Sequence, residues 1–290
     1  MARDEKAYRR MITDRRFQQI ATGIPGAEGP LVTRDGRIFL VSPPQGLILE
    51  ISRNGEKREY AKIGGKPAGL QLDRNGDIWV SDMERGILRV CGDGSVVAEV
   101  AEFDGAPIRG CNDLAFDSQG NLYFTAPAGS DGKPGGDVGE VYCRTTDGVV
   151  RRLAGGFAFP NGIAVSKSDD LVIFAETFTH KLVGIHLDAP GSVTDMRTWA
   201  VLPEGGIAGG DGMDFDAVGN LIATNYSNGT LEIYDAEARH LESIELPFKK
   251  CSNVHFLPDG SGSLLITEHE NGALWSFDFG RGGQMQYGWS

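Results

Sequence analysis

Six times along this chain a short apolar strand pattern opens on a small or oxygen-bearing residue. Each time it breaks at a Gly/Asp/Asn-rich turn and returns as a second strand. The opening residues are Glu28, Ala68, Asn112, Asn161, Asp211 and Ser252, so consecutive units lie 40, 44, 49, 50 and 41 residues apart. That is the length of one four-stranded propeller blade, and a repeat at this period constrains the fold more than any local propensity. Further alternating stretches follow each pair, such as Ile87 to Val90 and Leu231 to Tyr234, and supply outer strands. The expected fold is therefore all-β: a six-bladed β-propeller with a central channel. It forms one domain over residues 1–290, with 1–16 as a polar lead-in and Phe17 to Ala21 as an additional strand. Ala126 to Asp137 (APAGSDGKPGGD) reads as a mobile Gly/Pro-rich loop.

The repeat also dictates geometry. The first strand of each blade lines the channel, so residues of equal phase form rings. The ring at the channel mouth reads Glu28, Ala68, Asn112, Asn161, Asp211, Ser252. Singly, each polar member is explained as a turn residue at a strand start. Together, two carboxylates and two amides with no His or Cys select a hard cation, calcium before magnesium. Three residues along, Asp214 and His255 fall on adjacent blades, either paired or sharing a second ion. The second strands return to the mouth and bring Thr177, Tyr226 and His269 towards the upper ring as candidate pocket residues.

Composition excludes several function classes. With 28 basic against 40 acidic residues, the formal charge of −12 disfavours nucleic acid and anionic membrane partners. No stretch approaches the roughly 20 apolar residues of a membrane span. The charged N-terminus has no apolar signal core, and Cys91, Cys111, Cys143 and Cys251 match no zinc or disulfide spacing, so a cytoplasmic protein with reduced thiols is expected. Asp73 to Asp77 resembles the start of an EF-hand, but Ile78 stands where that loop needs Gly; it reads as a turn.

Five stretches carry a family resemblance: Gly110 to Asp117 (GCNDLAFD), Phe159 to Val165 (FPNGIAV), Gly210 to Asp216 (GDGMDFD), Ser252 to Phe256 (SNVHF) and Thr267 to Asn271 (TEHEN). In that order they resemble the diisopropyl fluorophosphatase branch of the regucalcin/gluconolactonase-like propellers, from about Gly26 to Phe279. The resemblance implies a catalytic calcium on Glu28, Asn112, Asn161 and Asp211. It implies a second, structural calcium on Asp214, His255 and the Val254 backbone carbonyl, and pocket roles for Thr177, Tyr226, Ser252 and His269. Two departures concern the pocket: the Ala126–Asp137 loop is shorter than in that branch, and Pro44 replaces an expected acid. Arg109 lies three residues before Asn112, where gluconolactonase-like motifs place it two before.

The expected activity is calcium-dependent hydrolysis of a small molecule with a P–F or related organophosphorus bond. Asp211 serves as nucleophile or base, and no protein partner is implied. The alternatives are a calcium-dependent lactonase and a non-catalytic calcium-binding propeller.

Overall fold

The computed structural model describes residues 17–127 and 138–290; the 1–16 lead-in and most of the 126–137 loop lie outside them. The six repeat units form six four-stranded antiparallel sheets, arranged as the blades of a β-propeller. Blades 1 to 6 begin with the inner strands Glu28–Val32, Pro67–Leu72, Leu114–Phe116, Pro160–Val165, Gly210–Phe215 and Cys251–Phe256. In blade 3 the pairing reaches beyond the strand proper, since Asn112 N donates to Thr125 O and Thr125 N to Asp113 O. The ring is closed by Phe17–Ala21, which becomes the outermost strand of blade 6 against Ala273–Asp278, with Phe17 stacked on Phe277.

The hairpin turns show why the repeated Asp-x-x-Gly-Asn signature folds as it does. Asp117 and Asp216 each accept two backbone N–H groups of their own turn and the side-chain amide of Asn121 or Asn220. Gly120 and Gly219 take the left-handed backbone that closes these turns. Asp73 does the same job, accepting from Asn75 N, Asp77 N and Trp79 Nε1, so the EF-hand-like segment is a turn. Apolar side chains alternate into clusters between neighbouring blades, for example Phe39, Val80, Ile222 and Phe256. All four cysteines are free, and Cys111, Cys143 and Cys251 are buried. Among the described residues no helix is long and apolar enough to cross a membrane.

The strand starts are irregular in a way that matters for the channel. In blades 1, 4, 5 and 6 the first stretch of the inner strand carries one residue more than its partner, as at Asn161-Gly162 opposite the Glu176 to Phe174 run. Blade 2 carries a similar bulge between Pro67 and Gly69. A bulge kinks a strand and re-aims its side chains, so Asn161 and Asp211 sit at points where the ladder is already interrupted.

Candidate active site

Glu28, Asn112, Asn161 and Asp211 come from four blades and line one cavity of about 380 Å3 at the channel mouth. Asn161 is positioned from two sides. Its Nδ2 donates to Thr177 Oγ1 (3.2 Å), and that hydroxyl donates in turn to Gly210 O (2.7 Å). The amide oxygen of Asn161 is buried without any partner. Burial pushes Glu28 up to about 8, with the nearby Asp113 charge adding to it. Burial likewise raises Asp211 well above the usual carboxylate range, and the charges of Glu28 and Asp113 push the same way. No Lys or Arg lines this cavity among the described residues. The donor set is thus two carboxylates short of a counter-charge and one amide oxygen short of a partner, which suits a hard divalent cation. No three His, Cys, Asp or Glu side chains converge as a metal site among the described residues, so any ion here depends on the asparagines.

The walls differ in character from the donors. Pro43, Pro44, Ala68, Met83, Phe159 and Phe178 present apolar surface around the ring. Phe159 has a left-handed backbone (φ 65°), uncommon for a bulky residue. It is held by Thr177 N donating to Phe159 O (3.1 Å) and by the buried Glu176 carboxylate accepting from Ala158 N (2.8 Å). Thr177, Tyr226 and His269 line the same cavity. Tyr226 and His269 are joined at 3.1 Å between the hydroxyl and Nδ1, and His269 Nε2 lies 3.8 Å from Glu28 Oε1. Burial lowers His269 to about 4, so the ring is neutral at physiological pH.

Ser252 is a correction to the expected pocket. It is fully buried and absent from the cavity wall; its hydroxyl donates to Ala27 O (3.1 Å) and lies 2.9 Å from Thr267 Oγ1. Blade 6 carries the same bulge as blades 1, 4 and 5, yet these two contacts hold Ser252 behind the ring, where it adjoins Glu28 rather than the open mouth.

Asp214, Val254 and His255 line a second cavity, of about 260 Å3, at the opposite end of the channel. His255 Nδ1 is 4.0 Å from Asp214 Oδ2, beyond hydrogen-bond reach, so the two are not a simple hydrogen-bonded pair. His255 Nε2 is buried without a partner, and burial lowers the ring to about 4, which leaves it neutral as a metal-ligating imidazole must be. Burial pushes Asp214 up to about 7, although Phe215 N (2.8 Å) and Phe256 N (3.1 Å) donate to it.

Between the two cavities lies a ring that the phase argument passed over. One position after the mouth ring stand Gly29, Gly69, Asp113, Gly162, Gly212 and Asn253. A Cβ on any of the four glycines would collide with the neighbouring blade's backbone or with Asp113 or Asn253. Glycine therefore lets four inner strands close in, and Asp113 and Asn253, from opposite blades, fill the space. Asp113 accepts from Leu114 N (2.9 Å) and Ile163 N (3.3 Å), and burial holds it up to about 7. Four glycines against two polar residues at one phase was the signal available in the sequence.

The chain is 38% identical to diisopropyl-fluorophosphatase from Loligo vulgaris, over 93% of this chain and 94% of that protein. It is 26% identical to lactonase drp35 from Staphylococcus aureus strain MW2, over 83% and 82% of the two chains. The solved structure of a gluconolactonase from Xanthomonas campestris superposes with a TM-score of 0.78, covering 90% of this chain and 88% of that one at 22% identity, a likeness of fold. Residues 26–270 match the SMP-30/gluconolactonase/LRE-like region, and the chain belongs to that family.

Proposed function

We propose that this protein is a calcium-dependent hydrolase of the diisopropyl fluorophosphatase type, acting on P–F or related organophosphorus bonds at the channel mouth. The observation that carries the reading is a ring of four oxygen donors, two of them mutually repelling carboxylates, inside a cavity whose remaining wall is mostly apolar. Glu28, Asn112, Asn161 and Asp211 would hold the catalytic ion, and Asp214, His255 and the Val254 carbonyl a structural one. When bound, calcium supplies Lewis-acid polarisation of a phosphoryl oxygen and offsets the charge of the ring.

The chain's own groups do the rest. Asp211 serves as nucleophile towards phosphorus or as base towards a water, and either role needs its ionised form. Glu28 and the two asparagines would share the ion with that carboxylate. Thr177 pins Asn161, and Tyr226 fixes His269 beside Glu28. Phe159, Phe178, Met83 and the two prolines shed water and take the alkyl groups of the ester. That wall favours a substrate with apolar substituents over a polyhydroxylated sugar lactone, which would need hydrogen-bond partners there. The lactonase reading keeps support from the drp35 relative, and an alkyl-substituted lactone would fit the same wall.

A hydrolysis panel of a dialkyl fluorophosphate, paraoxon-like triesters, and aldono-, aromatic and acyl-chain lactones tests the proposal, with calcium and after chelation. Fluorophosphate turnover that disappears on chelation and returns with calcium is expected. Lactone turnover without any fluorophosphate turnover would assign the site to the second reading, and turnover indifferent to chelation would remove calcium from the chemistry.

A further inference from the structure

Beyond the last blade the chain does not leave the molecule; it crosses the lower end of the channel. Gly283 bridges to Asp216, Ala217 N donates to Gly282 O (2.8 Å) and Gln284 N donates to Phe215 O (2.8 Å), all at the foot of blade 5. Six residues later Trp289 Nε1 donates to Val32 O of blade 1 (2.8 Å), and the Trp289 ring meets His255 edge-on at 5.5 Å. Tyr287 packs on Phe116 of blade 3 (5.0 Å) and under Arg74 of blade 2. Residues 282–290 therefore form a strap from blade 5 to blades 1, 2 and 3, laid over the cavity that holds Asp214, Val254 and His255.

Two amides of this strap face that cavity. Gln286 Nε2 lies 3.1 Å from both carboxylate oxygens of Asp214. Gln284 is anchored by Nε2 donating to Val165 O (3.0 Å), and its Oε1 is buried with no partner at all. A buried carbonyl oxygen left unpaired in a cavity that also holds a buried carboxylate is a costly arrangement unless a positive ion satisfies both. A half-turn of the Gln286 amide exchanges its donor for an acceptor, so the group that satisfies Asp214 without a cation can present an oxygen to one.

We propose that the strap completes the lower calcium site: Gln284 and Gln286 supply amide oxygens to the ion held by Asp214, His255 and the Val254 carbonyl. Calcium would then fasten the C-terminus across the channel. The inference rests on the calcium reading given above. Nothing in the repeat provides these two ligands, which is why three groups from two blades need a segment outside the blades to enclose an ion.

The test uses full-length protein freed of calcium by chelation and titrated with calcium chloride by calorimetry. It compares wild type with Gln284→Ala, Gln286→Ala, the double variant and Gln286→Glu. Hydrogen exchange of residues 282–290 is followed with and without calcium. Two ions are expected in wild type. In the double variant one should weaken at least tenfold while the other keeps its affinity, and calcium should slow exchange of the strap in wild type only. Gln286→Glu keeps an oxygen and should bind at least as tightly as wild type, yet melt lower in chelator because it faces Asp214.

If wild type binds two ions and the double variant binds both with unchanged affinity, the strap is no ligand and the calcium reading stands. Strap exchange in wild type indifferent to calcium would overturn the inference in the same way. If wild type takes up no calcium, both readings fall together.

Discussion

At the channel mouth four blades each contribute one oxygen donor at equal phase, and apolar side chains from the loops complete the enclosure. At the other end two adjacent blades contribute Asp214, Val254 and His255, and the C-terminal strap closes the space. Both ends use the same inner strands, but the mouth stays open to solvent-borne molecules while the lower end is roofed by Trp289, Tyr287 and Gln286. An open site built from a symmetric ring suits turnover. A covered site built asymmetrically suits retention of an ion that holds blades together. The difference shows that one repeat can enclose two cavities of opposite accessibility, depending on what lies outside the repeat.

The sharpest way to break this division is a matched pair of substitutions. Asp211→Asn keeps an oxygen but removes the acting carboxylate, so hydrolysis should fall on the order of 10²-fold or more. The far-UV dichroism and the melting temperature in calcium should stay near wild type. Asp214→Ala should do the reverse, lowering the melting temperature and the number of bound ions more than it lowers turnover at saturating calcium. If both variants lose stability and activity in the same proportion, the two ends are not functionally distinct.

Acidity separates the ends from the ordinary surface. Burial raises Glu28 to about 8 and Asp113 and Asp214 to about 7, against ordinary values of 4.5 for Glu and 3.8 for Asp. A carboxyl whose folded value is raised binds more protons folded than unfolded, so its stabilisation is full below the ordinary value and is lost as pH climbs through the raised one. Chelated protein should therefore melt at progressively lower temperature from about pH 5 to pH 8. Calcium should flatten or invert that slope, because the ion replaces the protons. A chelated protein whose melting temperature rises across this range would contradict the picture of carboxyls kept protonated by burial.

The middle ring offers a smaller, purely steric effect. A Cβ on Gly212 would strike Asn253, whereas one on Gly92 meets open space. Gly212→Ala should cost about 1–3 kcal/mol by overpacking, measured by urea unfolding, and Gly92→Ala should be close to neutral. Equal effects at both positions would mean the channel can widen at no cost.

The smallest effect belongs to Tyr226. Tyr226→Phe removes one hydrogen bond to His269, worth about 0.5–1.5 kcal/mol. Turnover should fall no more than roughly tenfold, with kcat and KM measured separately to show whether His269 supports binding or the reaction. A loss as large as that of Asp211→Asn would make the Tyr226–His269 pair part of the chemistry.

How much of this could be read beforehand follows from what repeats. The blades, their number and the convergence of Glu28, Asn112, Asn161 and Asp211 were legible because equal phase means equal position in a propeller. Ser252 shares that phase, and the bulge of blades 1, 4 and 5, and is still buried, because Ala27 O and Thr267 Oγ1 from other strands hold its short side chain, and such partners leave no mark at the residue itself. Asp113 and Asn253 were readable in principle from the glycines at their phase in the other blades. Gln284, Gln286 and Trp289 were not, since they belong to no repeat and their position depends on where the strap happens to cross. Phe159 was visible within a quoted motif, but its left-handed backbone and its place in the wall emerge only from the packing around Glu176 and Thr177.

The outermost strand of blade 6 has a consequence for how the molecule comes into being. That blade is assembled from Phe17–Ala21 and the last three strands among the described residues. During synthesis Phe17 emerges before the other described strands and has no partner until Phe277 leaves the ribosome. Blades 1 to 5 can each pair their four strands in order as they appear, whereas the ring closes in a single late step. Until then the Ala273–Asp278 edge is open to pairing with other chains, a hazard for any protein whose closure waits on its own beginning.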